Sequence, residues 1–167
     1  ELKRDAATEL LLASAFCGAW EGDVLKGGKT DTSFTVEQTY YDGDAEHIRR
    51  ATGVQASFSL ECEYNGFANA TFELLGLGCE HEVEPIADAT YTNASTKPFI
   101  RGEKVTNVVI GGLNGIIPTK LSLSVMPERE AKGGFGSLSA AFIGTGKKQV
   151  ESSLTFLASD LAGMNLT

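Results

Sequence analysis

From Val54 to Tyr64 the chain alternates without a break. Val54, Ala56, Phe58, Leu60, Cys62 and Tyr64 point one way, and Gln55, Ser57, Ser59, Glu61 and Glu63 point the other. A period of two sustained over this length describes a strand with one buried and one wet face, the pattern of an antiparallel sheet. Asn65-Gly66 follows and reads as a hairpin turn, because both central positions of such a turn favour positive φ. The return strand then places Ala68, Ala70, Phe72 and Leu74 inward and Asn69, Thr71 and Glu73 outward.

The same phrase occurs again further on. Phe58-Ser59-Leu60 leads by way of a turn to Phe72-Glu73-Leu74-Leu75-Gly76, and Leu121-Ser122-Leu123 leads to Phe142-Ile143-Gly144 after a longer turn over Pro127–Gly134. A repeated strand–turn–strand unit with no catalytic cluster inside it points to a scaffold that pairs strands, and so to assembly rather than chemistry.

The rest of the chain supplies one helix and further strands. Asp5 is placed to cap a helix over residues 5–17, whose Ala- and Leu-rich run Ala6–Phe16 favours that conformation. Ala7, Leu10, Leu11, Ser14 and Ala15 form the face expected to lie on a sheet, Gly18 ends the helix, and Trp20 is expected to plug the junction. Phe34, Val36 and Tyr40 alternate with polar residues from Ser33 onward. Strands are expected again at 104–110, 119–126, 137–143 and 149–158. Residues 79–103 are polar, contain Pro85 and Pro98, and read as a long arm or loop. The sum is a single domain over 1–167. It is mainly β, an antiparallel β-sandwich or barrel of about seven strands with one flanking α-helix.

Bulk properties narrow the function. A chain of 167 residues buries roughly 70% of its unfolded surface, enough to fold without a disulfide or metal. Its net charge of −8 argues against a protein that grips nucleic acid through phosphates, but not against one that nucleic acid slides past. Cys17, Cys62 and Cys79 are odd in number and lack CxxC spacing, which favours reduced thiols. Sequons at Asn69, Asn93 and Asn165 leave a secreted, glycan-binding β-sandwich as an alternative. With no signal peptide and no apolar run of 18 residues, the chain is not expected to span a membrane. It opens at Glu1 without a methionine, so upstream sequence is expected to have been either removed or left out of this chain.

The search for a reaction centre finds little. His47 lies in the charged stretch Asp42–Arg50, read as a solvated loop. His81 lies in Cys79-Glu80-His81-Glu82, which lacks a second cluster to complete a metal shell. Asp42-Gly43-Asp44 lacks the later ligands of a calcium loop. Gly111-Gly112-Leu113-Asn114-Gly115 lies between expected strands and opens no helix that would cradle a phosphate. No enzyme, cofactor or metal is expected.

Taken in order, these elements resemble a known family. They are Ala15-Phe16-Cys17-Gly18-Ala19-Trp20, Asp23-Val24-Leu25-Lys26-Gly27-Gly28, Ser33-Phe34-Thr35-Val36-Glu37, Arg50-Ala51-Thr52-Gly53-Val54, Phe58-Ser59-Leu60, Phe72-Glu73-Leu74-Leu75-Gly76, Phe135-Gly136-Ser137-Leu138, Gly146-Lys147-Lys148-Gln149-Val150 and Leu154-Thr155-Phe156-Leu157. The chain is similar, from about Leu10 to Ser159, to the major tail tube proteins of long-tailed (siphovirus-type) bacteriophages. The resemblance implies a virion structural protein, made in the host bacterial cytoplasm, whose hexameric rings stack into a hollow tail tube. Sheets of neighbouring copies would join edge to edge around a channel for DNA, which passes without sequence-specific binding, and for the tape measure protein. Tail terminator and tail tip proteins would be the other partners. A tail terminator itself, or the inner tube of an injection machine, is the related alternative. In a tube of this kind Gln55, Ser57, Ser59, Glu61, Glu63 and Glu73 are expected to face the lumen, since acidic walls repel the DNA backbone. Asp42, Asp44, Arg49, Arg50, Tyr91 and Phe99 are expected at contacts between copies.

Overall fold

The structure, a computed structural model, describes residues 5–43, 45–93, 96, 98–105 and 116–158. Among these, one helix, α1 (Ala6–Phe16), precedes eight strands: β1 (Trp20–Glu21), β2 (Val24–Leu25), β3 (Phe34–Asp42), β4 (Ala45–Glu63), β5 (Asn69–Leu75), β6 (Gly78–Glu82), β7 (Ile116–Lys132) and β8 (Phe142–Ala158). Every strand pairing is antiparallel. The mainly β, antiparallel architecture with one helix agrees with the sequence, and among the described residues the sheet stays open, as in a β-sandwich, rather than closing into a barrel.

The organising element is β4, 19 residues long. Its first half pairs with β3 on one side and β6 on the other. Its second half pairs with β5 and β7, and β7 pairs in turn with β8. The change of partners falls at a bulge, where the register with β3 shifts between Phe34 and Val36. Gly53 occupies that bulge with φ +59, and a Cβ there would meet the Leu77 side chain at 2.5 Å. Only glycine satisfies both conditions. Val54, Gln55 and Ala56 are buried in succession here, because near the bend both faces of the strand are covered.

The near-repeat has a direct structural meaning. Phe58 and Leu60 lie opposite Val125 and Leu123, so the two similar phrases are neighbouring strands of one sheet. The second half of the comparison requires correction. Leu121 and Ser122 pair with Leu154 and Ser153, whereas Phe142 pairs with Lys132. The turn expected over Pro127–Gly134 does not exist, because β7 continues through Pro127 to Lys132, passing a second register shift between Pro127 and Arg129. A bulge is one of the few places where a sheet tolerates a residue without an N–H. The strand expected at 137–143 begins only at Phe142, as the start of a single 17-residue β8. Of the strand expected at 104–110, Lys104 belongs to a 3-10 turn over Gly102–Lys104, and 106–110 lie outside the described residues, as does the glycine-rich 111–115.

Asp5 caps α1 as expected, its Oδ1 accepting from Thr8 N–H at 2.9 Å. At the other end Cys17, not Gly18, takes the left-handed conformation, with φ 47. Gly18 is needed for a different reason: a Cβ there would meet Lys26 O at 1.8 Å. The packed face is also rotated from the expected one. Leu12, Ala15 and Phe16 touch the core formed by Phe58 and Val125, while Ala7 and Leu10 are exposed. Apolar residues run around the last two turns of the helix, so their spacing alone does not select a face. Trp20 ties α1 to the small β1–β2 ribbon, its Nε1 donating to Glu9 O at 2.9 Å.

Two cations from the sheet meet the C-terminus of α1, which has no basic residue in its own last turn. Lys148 Nζ donates to Phe16 O, and to Gly28 O at 3.1 Å. Arg129 donates to Ser14 O at 2.8 Å and also to Ala56 O. Positive charge at this end complements the helix dipole. Ser14 completes the joint, accepting from Ala56 N–H at 3.0 Å and donating to Thr32 O at 2.7 Å.

Candidate assembly surface

The strands β5-β4-β7-β8 form a four-stranded sheet whose pairing sorts its side chains into two faces. On one face Phe72, Phe58, Val125 and Val150 lie in a row across the strands, followed by Ala70, Leu60, Leu123 and Ser152, and then Cys62, Leu121 and Leu154. Helix α1 covers the middle of this face through Ala15, Leu12 and Phe16.

The opposite face is polar throughout its centre. One row runs Asn69, Glu61, Ser122, Ser153, the next runs Thr71, Ser59, Ser124, Glu151, and a third begins with Glu73 and Ser57. These small hydroxyl side chains leave a shallow depression of about 350 Å³ between Ser59, Glu61, Thr71, Ser124 and Glu151. Glu63 ends the face in an ion pair with Lys120 at 3.3 Å. Sequence reasoning thus grouped Ser57, Ser59, Glu61 and Glu73 as the structure does, and missed Ser122, Ser124, Glu151 and Ser153. The alternation of Leu121, Leu123 and Val125 was the available signal for the first two.

Gln55 belongs to this face by register and shares a depression with Ser57 and Glu73, but it is covered. It is 7% exposed, its Oε1 has no hydrogen-bond partner, and it borders the same depression together with Arg129, whose Nε is likewise without one. The bend of β4 explains why it is covered.

The stretch Asp42–Arg50 is not a loop. Strands β3 and β4 run almost to its tip and turn at Gly43, φ +63, with Asp42 opposite Ala45. Asp44 lies outside the described residues. Tyr40 stacks on His47 across the hairpin, ring centroids 5.4 Å apart. Arg49 and Arg50 therefore lie on β4. Arg49 Nε donates to Cys79 Sγ at 3.0 Å. Arg50 pairs with Glu37 at 3.0 Å and Glu82 at 3.2 Å, and reaches Glu84 O at 2.9 Å.

The expected arm likewise begins as a strand, with β6 covering Gly78–Glu82. Beyond it, Tyr91 O–H donates to Glu37 Oε1 at 2.6 Å, and Ile86 N–H donates to Glu37 Oε2 at 3.1 Å. Tyr91 and then Arg50 and Ile86 hold the Glu37 carboxyl below its ordinary range, while Glu37 raises the Tyr91 hydroxyl. Arg50 and Tyr91 thus fasten the segment 83–91 to β3 and β4. Phe99 packs edge-on against Phe67 at 5.9 Å, with the Arg101 guanidinium over the same ring at 4.9 Å. These contacts also correct the Asn65-Gly66 turn. Neither residue has positive φ, and the connection closes by Gly66 N–H to Glu63 O at 3.0 Å.

Among the described residues no group of three or more His, Cys, Asp or Glu side chains is placed to hold a metal ion, and no helix is long and apolar enough to cross a membrane. All three cysteines are free. Among the described residues the sheet is open and antiparallel, with one polar face, and β5 and β8 each leave an outer edge unpaired, the kind of edge that can take up a strand from another chain. The sequence profile described as phage tail tube protein matches residues 1–167, and the chain belongs to that family. It is a structural protein of the phage virion tail, of a family that self-assembles into a tube and is not typically enzymatic. No curated protein matches the chain.

Proposed function

We propose that copies of this chain join laterally through the outer edges of β5 and β8, forming hexameric rings that stack into the hollow tail tube. The polar face lines the channel, so that Ser57, Ser59, Glu61, Glu73, Ser124 and Glu151 look onto the DNA that passes through. The observation that carries this reading is the open four-stranded sheet. Its two outer strands pair with no other strand among the described residues, and one of its faces is hydroxylic and acidic. Lateral joining removes edges that would otherwise invite aggregation, and a rotation that closes sets the width of the tube. Carboxylates at the wall repel phosphate and keep transit free of sticking.

In this reading the whole chain acts as one domain and performs no reaction. It is made in the host bacterial cytoplasm and assembles around the tape measure protein between tail tip and tail terminator proteins. Electron microscopy of the concentrated protein tests it. Six-fold rings and tubes are expected, and monomers at every concentration overturn the reading.

A further inference from the structure

Two large apolar side chains stand entirely in solvent at the tip of the β7–β8 hairpin: Phe135 at 112% and Leu138 at 109% relative exposure. They sit within fourteen consecutive uncharged residues, 133–146, in a chain that is 22% charged. The returning side of the tip is tied down. Ala140 N–H donates to Leu77 O at 2.7 Å, Ala141 N–H donates to Lys132 O at 2.7 Å, and Ser137 Oγ donates to Ser139 O at 2.8 Å. An apolar pair standing free in solvent on a neutral loop gains from burial by a partner.

The complementary feature lies at the far end of the same hairpin. Beyond the part of the sheet that α1 covers, Cys62, Leu121 and Leu154 form the floor of a groove of about 500 Å³, walled by Ile100 and Val105. Glu63 and Lys120, which come from the polar-face register, reach its border and pair with each other at 3.3 Å, so neither presents an unpaired charge to the apolar floor. The separation along β7 from Lys120 to Gly133 is roughly 45 Å of extended strand.

We infer that Phe135 and Leu138 of one copy seat in the Cys62–Leu121–Leu154 groove of the next copy along the tube. Knob and socket lie at opposite ends of one long hairpin, so translation along it brings them together. A contact of this head-to-tail kind repeats without limit. It lies on the helix-bearing face and leaves the polar face clear. The inference rests on the tube reading above and adds the joint between successive rings.

Native Cys62 makes the contact testable in the full chain. In a Cys79→Ser background, Phe135→Cys is expected to form a disulfide with Cys62 of a neighbouring copy under mild oxidation. It should do so at least about tenfold faster than an exposed control, Val24→Cys, because seated thiols share a high effective concentration. The ladder on a non-reducing gel should vanish when Cys62→Ser is added. A Phe135→Asp/Leu138→Asp double variant should keep lateral rings but need about thirtyfold more protein to form tubes, as for loss of an interface anchor. If the wild type makes tubes and the double variant makes them at the same concentration, the knob-and-socket joint is wrong while the tube reading stands. The same holds if Phe135→Cys links no faster than the control, which would mean that another segment fills the groove. Wild-type protein that never leaves the monomer overturns both.

Discussion

Glu37 is the most heavily engaged carboxylate described. It accepts from Tyr91, Arg50 and the Ile86 N–H, and through them it fixes a long irregular segment to the β3–β4 hairpin. Its folded-state pKa lies below the ordinary carboxylate value, with the Tyr91 hydroxyl as the largest cause. The stability it contributes is therefore fully present above the unfolded pKa and is lost as pH falls through the lowered folded value. Tyr91→Phe is expected to raise the Glu37 titration midpoint toward that of a free glutamate, as read by NMR pH titration. It should also speed amide exchange around Ile86, while Glu37→Gln should flatten the acid limb of the stability profile. An unmoved midpoint in Tyr91→Phe would remove the tyrosine from this role.

At the scale of elements, the joint between α1 and the sheet depends on one small polar residue. Ser14 is fully buried and its hydroxyl serves the backbone at Ala56 and Thr32. Ser14→Ala leaves the Ala56 N–H without its acceptor, and a cost of about 1–3 kcal/mol is expected in denaturant unfolding. A change within experimental error would mean that the helix is held by its apolar contacts alone.

Elements of this kind differed sharply in how well the sequence announced them. The second half of β4 was legible because one face is buried and the other wet, which writes a period of two into the residues. The outer part of the β3–β4 hairpin was not, since residues 38–43 and 45–46 are exposed on both faces and no alternation is required of them. Strand β6, Gly-Cys-Glu-His-Glu, is short, polar and largely exposed, as suits an outer strand, and so it passed for loop. Pro127 suggested a turn that a bulge had made unnecessary. Half of the polar face was visible from β4 and β5, and Glu151 became part of it only once the pairing of β7 with β8 fixed its register.

For the whole molecule the test is one of charge. Glu61→Lys, Glu73→Lys and Glu151→Lys together reverse the polar face at three exposed positions. Surface changes of this type usually move stability by no more than about 0.5 kcal/mol each, so folding and tube formation are expected to survive. Duplex DNA should then be retained by the assembled tubes in a salt-dependent manner, measured by co-sedimentation at increasing ionic strength. Tubes that ignore DNA after this reversal would place the face away from the channel. The knob-and-socket variants act on the other face, so the two sets of effects are expected to add independently.

The continuity of β4 has a mechanical side as well. A single extended segment belongs to the sheet that carries the Glu37 cluster and to the sheet proposed to wall the channel. In the proposed tube a push on the wall strand would pass along the covalent backbone of β4 to the outer hairpin. Load on that wall would reach the β3–β4 hairpin through one continuous strand, with its single bend at the Gly53 bulge.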